Sequence, residues 1–567
     1  MANPIGTALR RLGLYRPIQR TWRTMTMPER RERDREIRAD LLRTQEDVGA
    51  WAALGADLAD PDKRFALLSF TDLPIHAKFQ CVLAKTMQLQ GYTPVIFTHR
   101  GCRHAHAYFR MFGVDNLVIW QDFIEEAVPD PAVVDEIARA LLPAAPTLDA
   151  ILNCQLRGVD VGKHALSVTA RKRVEGSLDL KSPETLAQFH THFRGAVQSV
   201  LAADYFLDQQ PTASMLVRDA GYIPNGGLFE RALARGVDCI VYEQGQRKGS
   251  WIFKRYTPET KGRHFFSLAS ETWAQIQEQP WTPDHDAKLD QLFAGRYRPD
   301  STDDTRRLMT GKAIKPPEVV REQLALDPQK KTAVIFSHIA WDAAFFFGSC
   351  LFDDLEDWLF QTVKFVAAEC PDLNWIVKLH PFNVFKLQFE NKTEESELRL
   401  LEALFPLPDH VRIMRANTDI NTQSLFPVVD YVLTVNGTVG MEFPCFGVPA
   451  VLAGTGRYDG YGFTLDHPTR DAYFETLRRL HTIPRLDEET QRKARQHFYT
   501  VIARRQFSMD DIMPMDLKRA NEAQTDVHDN VDINARSLDE FRAAPSIRHA
   551  SDWLAHSTAL DLLQPEA

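Results

Sequence analysis

The sequence predicts an α/β protein with two lobes, each built around a Rossmann-like parallel sheet. Strands and helices alternate in two separate stretches, residues 61–257 and residues 331–485, with short connections between them. Such alternation is typical of a parallel sheet that carries helices on both faces. The chain of 567 residues is also longer than a domain with a single hydrophobic core usually is, which favours two large domains.

The first lobe, residues 61–257, begins its regular pattern at Arg64. Short apolar runs rich in β-branched residues predict strands, and longer amphipathic runs predict helices. The predicted strands are 65–70, 94–98, 117–120, 214–217 and 238–242. The predicted helices are 75–90, 109–112, 183–202 and 227–235.

The second lobe, residues 331–485, repeats the pattern after residues 258–330, which are predicted to form a linker with a helical hairpin. The strands are predicted at 332–336, 375–379, 411–414, 430–435 and 450–453, and the helices at 355–368 and 471–480. Residues 486–567 are predicted to form a helical return and tail, most clearly at 491–505. Two such lobes with a helical return form the architecture called GT-B, in which ligands bind in a deep cleft between the lobes.

Composition indicates a globular protein of the cytoplasm. The chain is 44% hydrophobic and 25% charged, with a net charge of −9 and a pI near 6.1, which argues against a nucleic-acid partner. The seven cysteines show no CxxC spacing, so we expect reduced thiols and no metal site. No apolar run approaches the roughly 18 residues that span a bilayer.

Residues 1–60 are predicted to form a basic amphipathic N-terminal helical segment. Residues 1–23 contain five arginines and no acidic residue, interleaved with leucine, isoleucine and tryptophan. Such a segment can lie on an anionic membrane surface, here as a peripheral contact with the inner membrane. The alternative is a helix that packs on its own protein, or a disordered segment.

Two polar clusters directly follow predicted strands of the second lobe. Ser337, His338 and Asp342 come after strand 332–336, and Lys378, His380 and Pro381 come at the end of strand 375–379. The carboxyl ends of parallel strands are where open α/β sheets bind ligands. Because a residue before proline is restricted to extended backbone angles, His380 is predicted to point at one ligand oxygen. The alternatives are a helix cap with a structural histidine, and ordinary turn chemistry.

A third cluster, Asn436-Gly437-Thr438, follows strand 430–435, and Glu442 lies one helical turn further on. We predict that Thr438 caps the following helix and that its first N–H groups face an anion. The segment Thr455-Gly456-Arg457, after strand 450–453, is predicted to close the same pocket, with the Arg457 guanidinium facing a phosphate. The alternative is a plain N-cap with Glu442 on the surface.

The first lobe supplies a carboxylate at the end of strand 238–242. Glu243 is predicted to face the cleft as a base or as a nucleophile toward an anomeric carbon. Arg247 can bind an anionic group or pair with Glu243, and Asn225-Gly226 is a weaker candidate for acceptor contacts.

With these motifs in hand, the chain resembles the bacterial capsule and surface polysaccharide biosynthesis proteins, a GT-B glycosyltransferase-like family related to the capsule Kdo transferases. The resemblance is clearest over residues 331–470, in Ser-His-x-x-Trp-Asp, Lys-x-His-Pro and Asp-Tyr-x-x-Thr-Val-Asn-Gly-Thr-x-Gly-x-Glu. It implies that the first lobe binds an acceptor and the second a nucleotide-sugar, with His380, Pro381, Asn436 and Thr438 at the nucleotide and its phosphate. The implied partners are a nucleotide-sugar and a glycan or lipid-linked acceptor, with CMP among the candidate nucleotides and no cofactor.

The chain departs from the family pattern at two places. Kdo transferases of this group carry an aspartate beside the glutamate of the Glu-x-Gly segment, where this chain has Gln244, which leaves Glu243 as the carboxylate. The loop Asn-Gly-Thr stands where many relatives have two adjacent hydroxyl residues. The identity of the donor in those relatives therefore cannot be transferred to this chain.

The function predicted from the sequence is a metal-independent glycosyltransferase that uses a nucleotide-activated sugar in capsule or surface polysaccharide biosynthesis. The predicted catalytic residues are Glu243, His338 and Asp342. The residues predicted to bind the donor are Ser337, Lys378, His380, Pro381, Asn436, Gly437, Thr438, Glu442, Thr455, Gly456 and Arg457. Three alternatives stay open: a CDP-alcohol glycerophosphotransferase-like enzyme, a sugar 2-epimerase, and a non-catalytic glycan-binding or assembly scaffold.

Overall fold

The computed structural model describes residues 28–247, 249–298, 308–309, 311–342, 344–382, 396–515 and 531–566. The chain divides into two compact units. The smaller unit comprises Met1–Pro61, Ser69–Trp120 and Met509–Ala555, and the larger comprises Asp62–Leu68, Gln121–Ser508 and His556–Ala567. The basic segment 1–23 lies outside the described residues.

Twelve strands run through the described residues. In chain order they are β1 Asp60–Ser69, β2 Tyr92–Thr98, β3 Leu117–Ile119, β4 Thr212–Val217, β5 Asp238–Gln244, β6 Ser250–Tyr256, β7 Thr332–Phe336, β8 Asn374–Lys378, β9 Val411–Met414, β10 Tyr431–Thr434, β11 Ala450–Leu452 and β12 Phe507–Ser508.

The α-helices of the same residues flank these strands. In chain order they are α1 Pro28–Val48, α2 Pro74–Gln88, α3 Arg103–Met111, α4 Trp120–Ala127, α5 Pro131–Leu141, α6 Leu148–Leu152, α7 Val161–Arg173, α8 Pro183–Gln209, α9 Asn225–Ala234, α10 Ser270–Glu278, α11 Pro283–Tyr297, α12 Pro317–Gln323, α13 Leu355–Glu369, α14 Ser396–Leu401, α15 Val439–Glu442, α16 Arg470–Arg478, α17 Glu488–Tyr499, α18 Leu538–Ala543 and α19 Pro545–His556.

The larger unit contains the two sheets that carry the predicted motifs. One is entirely parallel, in the order β11-β10-β7-β8-β9. In the other, β1, β4 and β5 are parallel, and β6 and β12 continue it as antiparallel strands. In the smaller unit β2 pairs with β3 in parallel. The predicted α/β class with Rossmann-like parallel sheets is therefore confirmed.

The predicted strands match observed strands within a few residues, because each combines an apolar run with a clear break. The predicted helix 109–112 is the end of α3, and the predicted helix 491–505 is α17 followed by a π-helical turn, Thr500–Arg504. The antiparallel strand β6 and the helices from α4 to α7 were not predicted, since their amphipathic runs are short or interrupted by glycine and proline. The domain limits given above stay predictions.

Residues 258–330, predicted to form a linker with a helical hairpin, contain the helices α10 and α11, and these helices are part of a core. Leu289 and Phe293 of α11 are buried in the same apolar cluster as β7, β10 and α17. The Phe293 ring stacks on Phe498 of α17, with 4.5 Å between the ring centres. The two helices therefore share a core with the parallel sheet, and the end of α11 contacts Thr438 and Glu442, which follow β10.

The smaller unit is tied together by buried polar contacts between distant parts of the chain. Asp40 of α1 accepts hydrogen bonds from the Lys78 ammonium, at 2.8 Å, and from the Tyr108 hydroxyl. The Trp51 indole N–H donates to the carbonyl oxygen of Ala535 at 2.9 Å. The chain around Ala535 is therefore fastened to the N-terminal part of this unit. Within the described residues, no helix combines the length and the apolar character that crossing a membrane requires.

A buried ionic triad fastens the C-terminal residues to the larger unit. The Asp561 carboxylate lies 3.0 Å from the Lys254 ammonium and 3.2 Å from the Arg505 guanidinium, with all three side chains at most 2% exposed. Asp561 also accepts a hydrogen bond from the backbone N–H of Ala269 at 2.7 Å. One carboxylate thus neutralises two buried cations.

We expect Asp561→Ala to lower the free energy of unfolding by about 3–5 kcal/mol, because it leaves two buried cations without a counter-charge. Urea denaturation followed by circular dichroism measures this change. The control is Glu489→Ala, which removes an exposed partner of Lys493 in an ion pair of 3.0 Å and should change stability little. Equal effects of the two substitutions would contradict the role given to the triad.

Candidate functional site

The candidate site lies where the strand order of the parallel sheet reverses. From β7 the chain moves outward to β8 and β9, and then returns to the other side of β7 to form β10 and β11. The carboxyl ends of β7 and β10 are therefore adjacent. The connection after β7 leads toward one edge of the sheet, and the connection after β10 leads toward the other. A reversal of this kind leaves a crevice beyond the strand ends, which is the usual ligand site of open α/β sheets.

His338 joins the two loops at this reversal. Its Nε2 accepts hydrogen bonds from the backbone N–H of Val435 and from the Thr434 hydroxyl, both at 3.1 Å. The ring proton therefore lies on Nδ1. Burial, with a further contribution from Arg457, lowers the pKa of His338 to about 4. At neutral pH the ring is uncharged, and any hydrogen bond that it gives to a ligand comes from Nδ1.

Two cavities meet at this place. The outer cavity, about 180 Å³, is bordered by Asp342, Asn436 and Arg457. The inner cavity, about 110 Å³, is bordered by Lys378, Pro381 and Glu442. The residues that line both cavities are His338, His380, Gly437 and Thr438. The structure thus brings His380 and Thr438 to a common space, as the motif spacing predicts.

Lys378 places a positive charge at the inner cavity. The side chain is buried, with the ammonium 5.7 Å from the centre of the Phe336 ring, and it forms no hydrogen bond or ion pair with the described part of the chain. Burial lowers the pKa of Lys378 to about 7, with Lys312 contributing, and two nearby carboxylates only partly oppose this. An anion in the inner cavity would restore the charged form.

Glu442 was predicted to contact the donor, but its two oxygens are occupied by the protein. It accepts a hydrogen bond from Arg296 Nη2 at 2.9 Å on Oε1 and one from the Tyr297 hydroxyl on Oε2. The side chain is 1% exposed. Glu442 therefore fixes the end of α11 beside the inner cavity. Sequence reasoning missed Arg296 and Tyr297 because they come from a hairpin about 140 residues earlier in the chain.

Ser337 was also predicted to contact the donor, and its hydroxyl is likewise engaged by the protein. It donates to Glu397 Oε1 at 2.7 Å, and the backbone N–H of His380 approaches the same oxygen at 3.4 Å. His380 Nδ1 accepts a hydrogen bond from the N–H of Phe382 at 3.2 Å, so a neutral ring carries its proton on Nε2. Ser337 and Glu397 therefore position His380, and Ser337 also lines the inner cavity.

The prediction that Thr438 caps the following helix is wrong. Thr438 has helical backbone angles, φ −57° and ψ −26°, and its side chain makes no capping hydrogen bond. A capping residue needs extended angles to turn its oxygen back to the helix N–H groups. The hydroxyl instead accepts a hydrogen bond from Arg296 Nη2 at 3.4 Å and faces both cavities. Helix α15 is only four residues long.

The loop after β11 contributes one residue to the cavities. Arg457 lines the outer cavity and donates to the carbonyl oxygen of Asn436 at 3.1 Å. Thr455 instead accepts a hydrogen bond from the N–H of Ser349 at 3.0 Å. At Gly456, with φ +104°, an added Cβ would lie 2.6 Å from a Gly348 backbone atom. Thr455 and Gly456 therefore hold two loops together and do not belong to the described cavity linings, contrary to their predicted donor contact.

Asp342 presents a carboxylate to the outer cavity. Its side chain is 45% exposed and accepts a hydrogen bond from the Tyr222 hydroxyl at 2.7 Å. The Arg171 guanidinium lies 3.9 Å from the carboxylate and stacks on the Tyr222 ring. These contacts fix the orientation of Asp342 while leaving it accessible from the cavity.

Glu243 is not among the residues that line either cavity. It accepts the backbone N–H of Asp219 at 2.7 Å and approaches Arg218 Nε at 3.4 Å. Burial is the main reason that the pKa of Glu243 rises to about 8, and Asp219 and Asp342 add to it. Glu243 thus lies outside the two cavities, whereas Asp342 lines the outer one, and the role of Glu243 as base or nucleophile stays a prediction.

The predicted acceptor residues are separated in the structure. The Asn225 amide donates to the carbonyl oxygen of Arg218 at 2.6 Å. An added Cβ at Gly226 would lie 2.2 Å from the His164 ring, so this glycine allows α9 to pack closely on α7. Arg247 lines a third cavity, about 340 Å³ in volume, which we call the basic cavity. Among the described residues, no group of three or more histidine, cysteine, aspartate or glutamate side chains could hold a metal ion.

Comparison with known proteins gives structural likenesses only. No family model and no curated protein matches the sequence. Thermosulfurimonas dismutans KpsC, a β-Kdo 2,4 transferase, is similar at 15% identity with a TM-score of 0.31, over 50% of this chain and 79% of that chain. UDP-GlcNAc 2-epimerase from Neisseria meningitidis is similar at 11% identity with a TM-score of 0.24, over 77% of this chain and 95% of that chain. The spinosyn rhamnosyltransferase SpnG is similar at 13% identity with a TM-score of 0.24, over 76% and 94% of the two chains.

We expect sulfate to bind the wild-type protein with an affinity that falls about tenfold per pH unit above pH 7, because Lys378 must take up a proton with the anion. Sulfate is a suitable probe, since its own charge is constant between pH 6 and pH 9. Isothermal titration calorimetry at several pH values measures the affinity.

Two variants make this measurement specific. Lys378→Met keeps the buried volume apolar and should remove the dependence on pH together with most of the binding. Lys364→Met, on the exposed face of α13, should leave the profile unchanged. A flat profile in the wild type, or an unchanged slope in Lys378→Met, would contradict the anion site.

Proposed function

We propose that this protein is a glycosyltransferase that uses a nucleotide-activated sugar to build a bacterial surface polysaccharide. The observation that carries the proposal is the pair of joined cavities at the strand reversal, with a buried lysine at the inner cavity and an oriented carboxylate at the outer one. The motif resemblance to capsule biosynthesis proteins supports the choice of product.

In this proposal the donor phosphates occupy the space shared by the two cavities. Lys378 supplies a cation from the inner side and Arg457 supplies one from the outer side. The Nε2–H of His380 and the hydroxyl of Thr438 are suited to hydrogen bonds with phosphate oxygens. A low-dielectric site strengthens each of these interactions, so the leaving phosphate is stabilised as negative charge develops on it.

Asp342 acts as the general base in this proposal. An acceptor hydroxyl in the outer cavity gives its proton to the Asp342 carboxylate while its oxygen bonds to the anomeric carbon of the donor. The bond between that carbon and the phosphate oxygen breaks, and its electron pair stays with the nucleotide. Tyr222 and Arg171 hold the carboxylate in place through the contacts given above. His338 keeps the loops after β7 and β10 together during this step.

We expect Asp342→Asn to lower kcat by about a hundredfold to ten-thousandfold, because the amide cannot accept the acceptor proton. The KM for the donor should change little, since Asp342 does not contact the phosphates in this proposal. Release of nucleotide in the presence of acceptor, over a panel of CMP-, CDP-, UDP- and GDP-sugars, provides the assay. The matched control is Asp353→Asn, an exposed carboxylate paired with Arg470 at 2.7 Å and outside the cavities.

His380→Ala should abolish transfer and donor hydrolysis while the thermal unfolding transition stays in place. Full activity of either site variant would rule out the mechanism. Product formed without any acceptor would instead indicate an epimerase, and binding of sugar nucleotides without turnover would indicate a scaffold.

A further inference from the structure

The tight turn formed by residues 219–222 carries Tyr222, whose hydroxyl donates to the Asp342 carboxylate at 2.7 Å. The turn closes with a hydrogen bond of 3.1 Å from the N–H of Tyr222 to the carbonyl oxygen of Asp219. Asp219 has φ +55°, in the left-handed region that residues other than glycine adopt at a cost in free energy. The turn therefore keeps its shape only because the groups around it hold it.

His164 of α7 is one of the groups that hold this turn. Its side chain is fully buried, and Nδ1 donates a hydrogen bond of 3.2 Å to the carbonyl oxygen of Gly221. Because a carbonyl oxygen only accepts, this contact fixes a proton on Nδ1. Gly221 directly precedes Tyr222, so the His164 ring holds the peptide group that joins these two residues.

His164 also contacts the loop that carries Asp342. The ring of Phe346, in the same loop, lies 5.2 Å from the His164 ring, measured between the ring centres. A Cβ added at Gly221 would lie 2.9 Å from the Phe346 ring, so the turn and this loop are in close contact. Phe347, the next residue of the loop, lines the outer cavity. His164 thus contacts both segments that fix the direction of the Asp342 carboxylate.

A buried carboxylate anchors the other side of the His164 ring. Nε2 lies 3.2 Å from Glu230 Oε1, and both side chains are at most 1% exposed. Glu230 Oε2 accepts hydrogen bonds from the Lys261 ammonium at 2.9 Å and from the backbone N–H of Asp160 at 2.7 Å. Burial alone would raise the pKa of Glu230, but His164 and Lys261 lower it to about 2. Glu230 is therefore charged at neutral pH, and a rotated His164 ring would leave part of this buried charge without its contact.

We propose that His164 is a positioning residue that sets the direction of the Asp342 carboxylate through the Gly221 carbonyl and the Tyr222 hydroxyl. The proposal rests on the proposed function for the role of Asp342 as a base, whereas the positioning itself does not depend on it. His164 lines neither the inner nor the outer cavity. Without its bond to Gly221 the strained turn relaxes, and Tyr222 moves with it.

Two variants of His164 test this role. The amide of His164→Asn takes the place of Nδ1 and still donates to Gly221, whereas the amide of His164→Gln takes the place of Nε2 and reaches only Glu230. We expect His164→Gln to lower kcat by about ten- to a hundredfold with an unchanged KM for the donor, because a base displaced by about an ångström reacts far more slowly. His164→Asn should retain most of the activity.

A second substitution and a matched control make the test specific. In a Tyr222→Phe background, His164→Gln should have no further effect on kcat, because the path through the Tyr222 hydroxyl is already broken. The control is His410→Gln. The His410 ring likewise lies 3.1 Å from a backbone carbonyl oxygen, that of Val366, but it precedes the amino end of β9 and lines neither cavity. His410→Gln should leave kcat unchanged.

Fluorine NMR of 3-fluorotyrosine at position 222 reports on the Tyr222 ring without any turnover. The resonance should move in His164→Gln toward its position in Asp342→Ala, where the acceptor of the hydroxyl is absent. It should stay in place in His164→Asn and in His410→Gln.

An unmoved resonance in His164→Gln, or the same kcat and resonance in both His164 variants, would overturn the proposal. Loss of the folded state in His164→Gln, seen in its thermal unfolding transition, would assign His164 to stability and would also overturn it. If the resonances move as expected but no sugar nucleotide supports transfer by the wild type, the positioning role stands and the proposed function fails alone.

Discussion

The hydrogen bond from the Val435 amide to the His338 ring is the interaction on which the candidate site depends. It joins the loops that leave β7 and β10 at the point where the strand order reverses. Since the ring is neutral, Nε2 keeps the lone pair that accepts the Val435 N–H. The motif residues of three separate segments, 337–342, 378–381 and 436–438, meet at the cavities because β10, β7 and β8 are neighbouring strands, and this bond fixes two of the three loops.

The charges around the joined cavities differ in how the protein balances them. Glu442 is matched by Arg296 and Tyr297, so it is neutralised before any ligand arrives. Lys378 has no such match among the described residues, and its lowered pKa reflects the free energy of keeping a charge in a buried place. This asymmetry makes the inner cavity receptive to an anion, and it is the physical basis of the proposed function.

Much of this arrangement follows from local sequence. The strands β7, β8, β10 and β11 are apolar runs with polar residues directly after them, so the edge that carries His380 and Thr438 could be predicted. The partners of these residues could not, because Arg296 and Glu397 reach the site through tertiary packing of segments without a distinctive pattern. The misplaced roles of Thr455 and Gly456 have the same origin, since a small-residue loop looks alike whether it contacts a ligand or another loop.

A structure of the protein with a bound nucleoside diphosphate tests the central claim most directly. The account predicts that a phosphate oxygen lies within about 3.2 Å of the Lys378 ammonium, as expected for a charge-assisted hydrogen bond, with His380 and Thr438 on the same diphosphate. A nucleotide bound elsewhere, or Lys378 turned away to pair with Glu397, would contradict it.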